Sequence, residues 1–127
     1  MTLADLDLDA DQRAFQETAR NFANRAFAPH AAAWDAQEVF PVDALRQAAA
    51  LGFAGIYVDQ AHGGANLSRL DAAIIFEELS AGCVSTAAYM SIHNMASWMI
   101  DHFGSDTQRA AWLPKLMTME HFASYCL

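Results

Sequence analysis

Apolar residues recur along this chain in steps of three and four, the spacing that lines one face of an α-helix. The interruptions between those runs carry helix-start and helix-stop residues. Asp9, followed three residues on by Gln12, makes a capping box. It opens a helix with apolar positions at Phe15, Ala19, Phe22 and Ala26, and further on at Ala33 or Trp34. Pro29 has no backbone N–H to give, so a kink or short break is expected there, then a second helical segment to about Glu38. Phe40-Pro41 begins another helix that runs to about Leu51, with Gly52 as its stop. Phe53 to Leu67, punctuated by Gly55, Gly63 and Gly64, reads as an ordered loop with a turn at Gly63-Gly64.

A second capping box, Ser68-Arg69-Leu70-Asp71, opens a helix to about Ala81 that ends near Gly82. The next helix spans roughly Ser85 to Phe103, and its periodicity marks Tyr89, Ile92, Ala96, Met99 and Phe103 as the apolar face. Met90, Met95 and Trp98 lie off that face. A helix apolar nearly all round belongs at the centre of a bundle. Gly104 ends it, and Ser105-Asp106-Thr107-Gln108 caps a last helix expected to break or bend at Pro114. Phe122 to Leu127 alternate as a strand does. A strand needs a partner for its backbone donors and acceptors, and the chain stops where a sheet should begin. The pattern therefore predicts an all-α bundle with a first strand at its end.

Composition sharpens this picture at two points. Hydrophobic residues make up 54% and charged residues 17%, richer in apolar side chains than an average soluble domain. Part of that excess is expected to face something other than the chain's own core. The net charge is −8, with seven scattered Lys and Arg, so a nucleic-acid partner or an anionic membrane surface is not expected. No apolar run approaches the length that spans a bilayer, so membrane insertion is not expected either. Met1 to Asp5 show neither a signal nor a transit pattern, and Cys83 and Cys126 form no CxxC, so both thiols are read as reduced and the chain as cytoplasmic.

Little in the chain reads as chemistry. Glu77 and Glu78 are neighbours on a helix and point about 100° apart, which suits one ion-paired and one solvated carboxylate rather than an acid–base pair. The five histidines have no metal-site spacing. His93, on the central helix, reads as a satisfied buried histidine ahead of a functional one. The methionines of that helix suit either core filling or a wall for a flexible acyl chain.

Several segments, in order, resemble the acyl-CoA dehydrogenase family. They are Leu8-Asp9-Ala10-Asp11-Gln12-Arg13-Ala14-Phe15 through Pro29 to Trp34-Asp35, Phe40-Pro41 with Leu51-Gly52-Phe53-Ala54-Gly55-Ile56-Tyr57, Gly63-Gly64 ahead of Leu70-Asp71, and Phe76-Glu77-Glu78-Leu79. Phe103-Gly104, Gln108-Arg109, Leu113-Pro114-Lys115-Leu116 and Tyr125-Cys126-Leu127 complete the series. Segments such as Leu67-Ser68-Arg69-Leu70-Asp71 and Ser91-Ile92-His93-Asn94-Met95 are similar to the branch of the family that acts on isobutyryl-CoA in valine breakdown. The resemblance implies that residues 1–121 are the family's amino-terminal helical domain and 122–127 the start of a middle β domain, truncated here. It implies FAD as the cofactor, an acyl-CoA substrate, an electron-transfer flavoprotein as partner, and a homotetramer for the complete enzyme. It also implies that the catalytic Glu, which takes the substrate's α-proton, sits in a third domain absent here, so this chain alone is expected to be inactive and not to retain flavin. Carried over by residue, Tyr125 and Leu127 match strand positions beside the flavin. Ala87, Met90, Ser91 and Met95 match the helix that walls the acyl chain. The alternative is a stand-alone helical module for binding or dimerisation, without catalysis.

Overall fold

The computed structural model describes residues 7–126. Among them are six α-helices and no strand. They are α1 (Ala10–Ala26), α2 (Ala31–Ala36), α3 (Val42–Ala50), α4 (Arg69–Gly82), α5 (Val84–Phe103) and α6 (Asp106–Met117), with a 3-10 turn at Gln60–His62. The calls on Met1 to Asp5 and on Leu127 fall outside the described residues.

Local signals set the helix starts. Asp9, Ser68 and Ser105 each accept a hydrogen bond from the backbone N–H three residues on, and the Gln12, Asp71 and Gln108 side chains each accept one back. Each such box satisfies donors that a helix otherwise leaves open at its first turn. The first two boxes also meet each other, because Gln12 Nε2 donates to Asp71 Oδ1 at 3.4 Å. Further along, Arg20 grips Glu78 with two bonds of 3.0 and 2.7 Å. A Cβ placed on Gly82 would stand 2.9 Å from the Ala23 carbonyl oxygen. The nearly constant sequence offset of these pairs shows α1 and α4 running parallel, with Gly82 allowing their close approach. Glu77 is solvated, while the Glu78 side chain is only 12% exposed, as the adjacent pair predicted.

The main core gathers Phe22, Phe27, Leu45, Phe53, Ile75, Leu79 and Met90, with Phe22 edge-on to Phe27 at 5.2 Å, and a second cluster joins Val58 to Leu113, Leu116 and Met117 of α6. The chain turns through Phe27–His30 around Pro29 before α2, as expected. Gly52 ends α3 at φ +88°, a left-handed conformation that favours glycine.

Three expectations change. First, α6 continues through Pro114 to Met117 without a break. The Ala110 carbonyl that loses its helical donor lies on an exposed residue, where water can serve it. Second, Phe122–Cys126 join no ladder among the described residues. The Ala123 N–H and carbonyl bond side chains of α5 rather than a neighbouring strand. Third, α5 is not covered all round, as a helix at the centre of a bundle would be.

That third difference positions the site. The residues of α5 that are buried are Thr86, Ala87, Met90, His93, Asn94, Ala96 and Ser97, a largely polar set. Of the predicted apolar face, Ala96 is buried and Tyr89 packs against the core, while Met99 is 44% and Phe103 72% exposed. Val84 at the start of the helix is 70% exposed. Periodicity located apolar positions but not which of them are covered, since an apolar face covers a core and a partner equally well.

Candidate functional site

The outward side of α5 presents an apolar stripe with Val84, Met99 and Phe103 exposed along it. Val84, Ala88, Ile92, Met95 and Met99 follow helical spacing along it, and Phe103 closes its carboxy-terminal end. There it enters an open groove of about 310 Å³ between α5 and α6, lined by Ile100, Phe103, Gly104, Gln108 and Trp112. A face of this kind marks a contact surface.

The inward side of α5 carries the polar network. The Asn94 side chain is wholly buried and fully bonded. Its oxygen accepts the Ile56 N–H at 2.7 Å, and its amide donates to the Phe53 carbonyl at 2.9 Å and the Met90 carbonyl at 2.8 Å. Asn94 thereby ties the loop after α3 to α5. That loop is closed by its own bonds, Ala65 N–H to the Gly55 carbonyl and Leu67 N–H to the Ile56 carbonyl, each 2.8 Å. A side chain on Gly64 would collide with the Val58 carbonyl, so the Gly63-Gly64 turn needs its second glycine for close approach.

His93 is equally buried. Its Nε2 lies 2.9 Å from the Leu116 carbonyl and its Nδ1 accepts the Ala123 N–H at 3.1 Å. A carbonyl needs a donor and an N–H needs an acceptor, so the ring is the neutral tautomer with its proton on Nε2. Burial holds its pKa below the ordinary value, and the bond to Leu116 opposes that shift in part. Tyr89, one turn earlier, donates its hydroxyl to the Ala123 carbonyl at 3.1 Å. Burial raises the Tyr89 pKa, which keeps that donor protonated.

Ser97 Oγ is buried with no hydrogen-bond partner among the described residues. A buried hydroxyl without a partner costs stability. Ser97→Ala is therefore expected to raise the unfolding free energy by about 1 kcal/mol in urea titrations. A loss of similar size would reveal a bond the hydroxyl makes in solution.

The predicted site residues divide between the two sides. Ala87 and Met90 point inward and pack in the core. Met95 lies on the outward stripe and Ser91 borders it, both half-buried, and Ser91 Oγ donates to the Ala88 carbonyl at 2.7 Å. Tyr125 is exposed on the tail, which lies on the Tyr89–His93 side of α5, so the structure does not bring Tyr125 together with Ser91 or Met95. Leu127 lies outside the described residues. An open cavity of about 390 Å³ lies elsewhere, between α1 and α3 beside Arg25, His30, Trp34 and Asp43, and involves none of these residues.

Sequence reasoning left Tyr89 and Asn94 without a role and gave His93 no named partners. The available signal was the run Thr86, His93, Asn94 and Ser97, polar residues at helical spacing in an otherwise apolar helix. Arg69 was missed as well. Its guanidinium sits between the Tyr57 ring at 3.7 Å and the Trp98 ring at 4.7 Å, fastening the start of α4 to the loop and to α5. Among the described residues, no group of three or more His, Cys, Asp or Glu stands together as metal ligands would, and no helix is long and apolar enough to cross a membrane.

Residues 9–120 match the family model described as acyl-CoA dehydrogenase, N-terminal domain. The chain belongs to the acyl-CoA dehydrogenase family. Among relatives of this acyl-CoA dehydrogenase domain, the mitochondrial isobutyryl-CoA dehydrogenase of Bos taurus is 60% identical over 122 residues, 96% of this chain and 29% of that protein. The protein of the same name in Dictyostelium discoideum is 52% identical over 120 residues, 94% of this chain and 29% of that protein. Among solved structures, a glutaryl-CoA dehydrogenase from Mycobacterium smegmatis in complex with FADH2 superposes with a TM-score of 0.87 at 25% identity, covering 94% of this chain and 32% of that one. The domain thus spans under a third of the length of the relatives it matches.

Proposed function

We propose that this chain is the amino-terminal helical part of a flavin-dependent acyl-CoA dehydrogenase that acts on isobutyryl-CoA, and that α5 forms one wall of the acyl site. The observation that carries the reading is the outward apolar stripe of α5, in a domain whose relatives act as isobutyryl-CoA dehydrogenases by name. Met95 on that stripe and Ser91 at its border would meet the acyl group, with Ala87 and Met90 fixing the wall from behind. A small branched acyl group is recognised by steric fit, for which a serine flanked by methionine is suited.

Residues 1–121 then form the helical domain, and 122–127 lead into a β domain. Tyr125 and Leu127 would lie beside the isoalloxazine of FAD. The described residues do not make a flavin site by themselves. Tyr125 offers an exposed ring, but no glycine-rich loop or cluster of basic side chains accompanies it to hold a pyrophosphate. FAD retention therefore belongs to the complete enzyme, which we read as a homotetramer that passes electrons to an electron-transfer flavoprotein. Free Cys83 and Cys126 fit a reducing compartment, the cytoplasm in our reading, while the two named relatives are mitochondrial. The same stripe would also serve a stand-alone dimerisation module.

The deciding experiment is expression of the chain and of the longer gene product side by side. The longer protein is expected to purify with flavin absorbance and to oxidise isobutyryl-CoA with an artificial electron acceptor, while the 127-residue chain shows neither. Stoichiometric flavin on the short chain would overturn the division of the site. A tight flavin-free dimer from an open reading frame of this length would favour the module.

A further inference from the structure

We infer that Tyr89 and His93 form a two-pronged clamp on the Ala123 peptide, which makes His93 a positioning residue for the tail that carries Tyr125. Both polar groups of Ala123 are held from one helix. His93 Nδ1 takes the N–H at 3.1 Å, and the Tyr89 hydroxyl gives to the carbonyl at 3.1 Å. The two side chains stand four residues apart, on one side of α5. Together they present a donor and an acceptor as a neighbouring strand would, so one residue of the tail is paired in a single register. That pairing accounts for an ordered tail with no sheet beside it.

The surroundings fix the same register. Phe122 packs edge-on to Phe40 at 5.3 Å and lies 6.3 Å from the Tyr89 ring. Arg46 from α3 places its guanidinium 5.9 Å from the Phe122 ring and donates to the Met119 carbonyl at 3.1 Å. Met119 itself holds φ +54°, a strained value for a residue with a side chain, and turns the chain out of α6 toward α5. A slip of one residue would move Tyr125 to the opposite face of the tail.

The clamp depends on the ring's charge. A proton on Nδ1 would face the Ala123 N–H with a second donor, and that prong would open. Besides His93, the charged and titratable groups on the elements packed around it are Tyr89, Asp101 and His102 on α5, Asp43 and Arg46 on α3, Asp106, Arg109 and Lys115 on α6, and Glu120, His121, Tyr125 and Cys126 on the tail. Lys115 pairs with Glu120 at 3.3 Å, Arg46 is engaged with the Met119 carbonyl, and no carboxylate bonds His93. The folded pKa lies below the unfolded value of 6.5, so the unfolded chain takes the proton first as pH falls. The clamp's contribution is complete above 6.5 and is lost as pH drops through the depressed value.

The part played by Tyr125 rests on the proposed dehydrogenase reading, whereas the clamp can be tested on the chain itself without flavin or acyl-CoA. Long-range proton–nitrogen NMR is expected to show Nε2 protonated and Nδ1 bare, and the opposite tautomer would overturn the clamp. Hydrogen exchange at the Ala123 amide is the second readout, taken as protection relative to the unstructured rate. His93→Asn keeps an acceptor at the Nδ1 position and is expected to retain the protection. His93→Gln keeps a donor at the Nε2 position and is expected to lose protection on the order of tenfold. A residue that merely fills space would give the two variants the same result. If either variant fails to fold, the wild-type profile decides. Ala123 protection should fall below pH 6.5 while amides of α1 and α4 keep theirs, and a flat profile would overturn the inference. A failed flavin assay with an intact clamp counts against the enzyme reading alone.

Discussion

Replacing Asn94 by alanine is expected to lower the unfolding free energy by about 4 kcal/mol, the largest loss from any single polar side chain in this domain. The substitution leaves the Ile56 N–H and the Phe53 carbonyl buried without partners. Each such group costs about 1–3 kcal/mol, and the cavity left by the amide adds to that. The Met90 carbonyl loses less, because it belongs to the helix ladder as well. Asp101 offers a built-in comparison. It also accepts from the same loop, taking the Asp59 N–H at 3.0 Å, but at an exposed position. Asp101→Ala should cost under about 1 kcal/mol, because water replaces the lost partner. Urea titration of both variants checks the pair. Equal and small losses would mean that the loop is held by its own backbone bonds and not by α5.

The contrast between these residues shows which part of the structure the sequence makes legible. The three capping boxes are complete within four residues each, so Asp9, Ser68 and Ser105 mark their helix starts unaided. The stop at Gly52 and the turn at Gly63-Gly64 are local in the same way. Asn94, by contrast, finds its loop partners 38 and 41 residues away, and no local pattern names them. His93 was legible as a buried, satisfied ring, but its partners Leu116 and Ala123 were not. The placement of α5 at the centre of the bundle failed for a related reason. A helix apolar nearly all round is expected to be covered all round, which holds for a domain that buries everything by itself. Here the inward side carries His93 and Asn94, which tie down a tail and a loop, while Val84, Met99 and Phe103 stay exposed on the outward side. Ala87 and Met90, carried over from the family resemblance, lie in this chain's own core.

Ser91→Trp in the complete enzyme is expected to lower kcat/KM for isobutyryl-CoA by about 100-fold, while the stability of the isolated helical chain changes by under about 0.5 kcal/mol. Ser91 is half-buried, and its hydroxyl bonds only the Ala88 carbonyl of its own helix, so the substitution breaks no hydrogen bond to another element. Under the proposed reading the indole would fill space meant for the branched acyl group, and a reacting carbon held about 1 Å out of place loses turnover on this scale. Ser91→Ala is the control, and it should leave both stability and turnover nearly unchanged because the hydroxyl's bond is a local one. Flavin content, read from absorbance, should be normal in both variants, since Tyr125 and its clamp lie on the other side of α5. A tryptophan variant with full turnover would place the acyl group against a different surface and leave the outward stripe as a packing face alone. A variant with lost flavin would show instead that the two sides of α5 are coupled, so that a change at Ser91 reaches the tail through the helix between them.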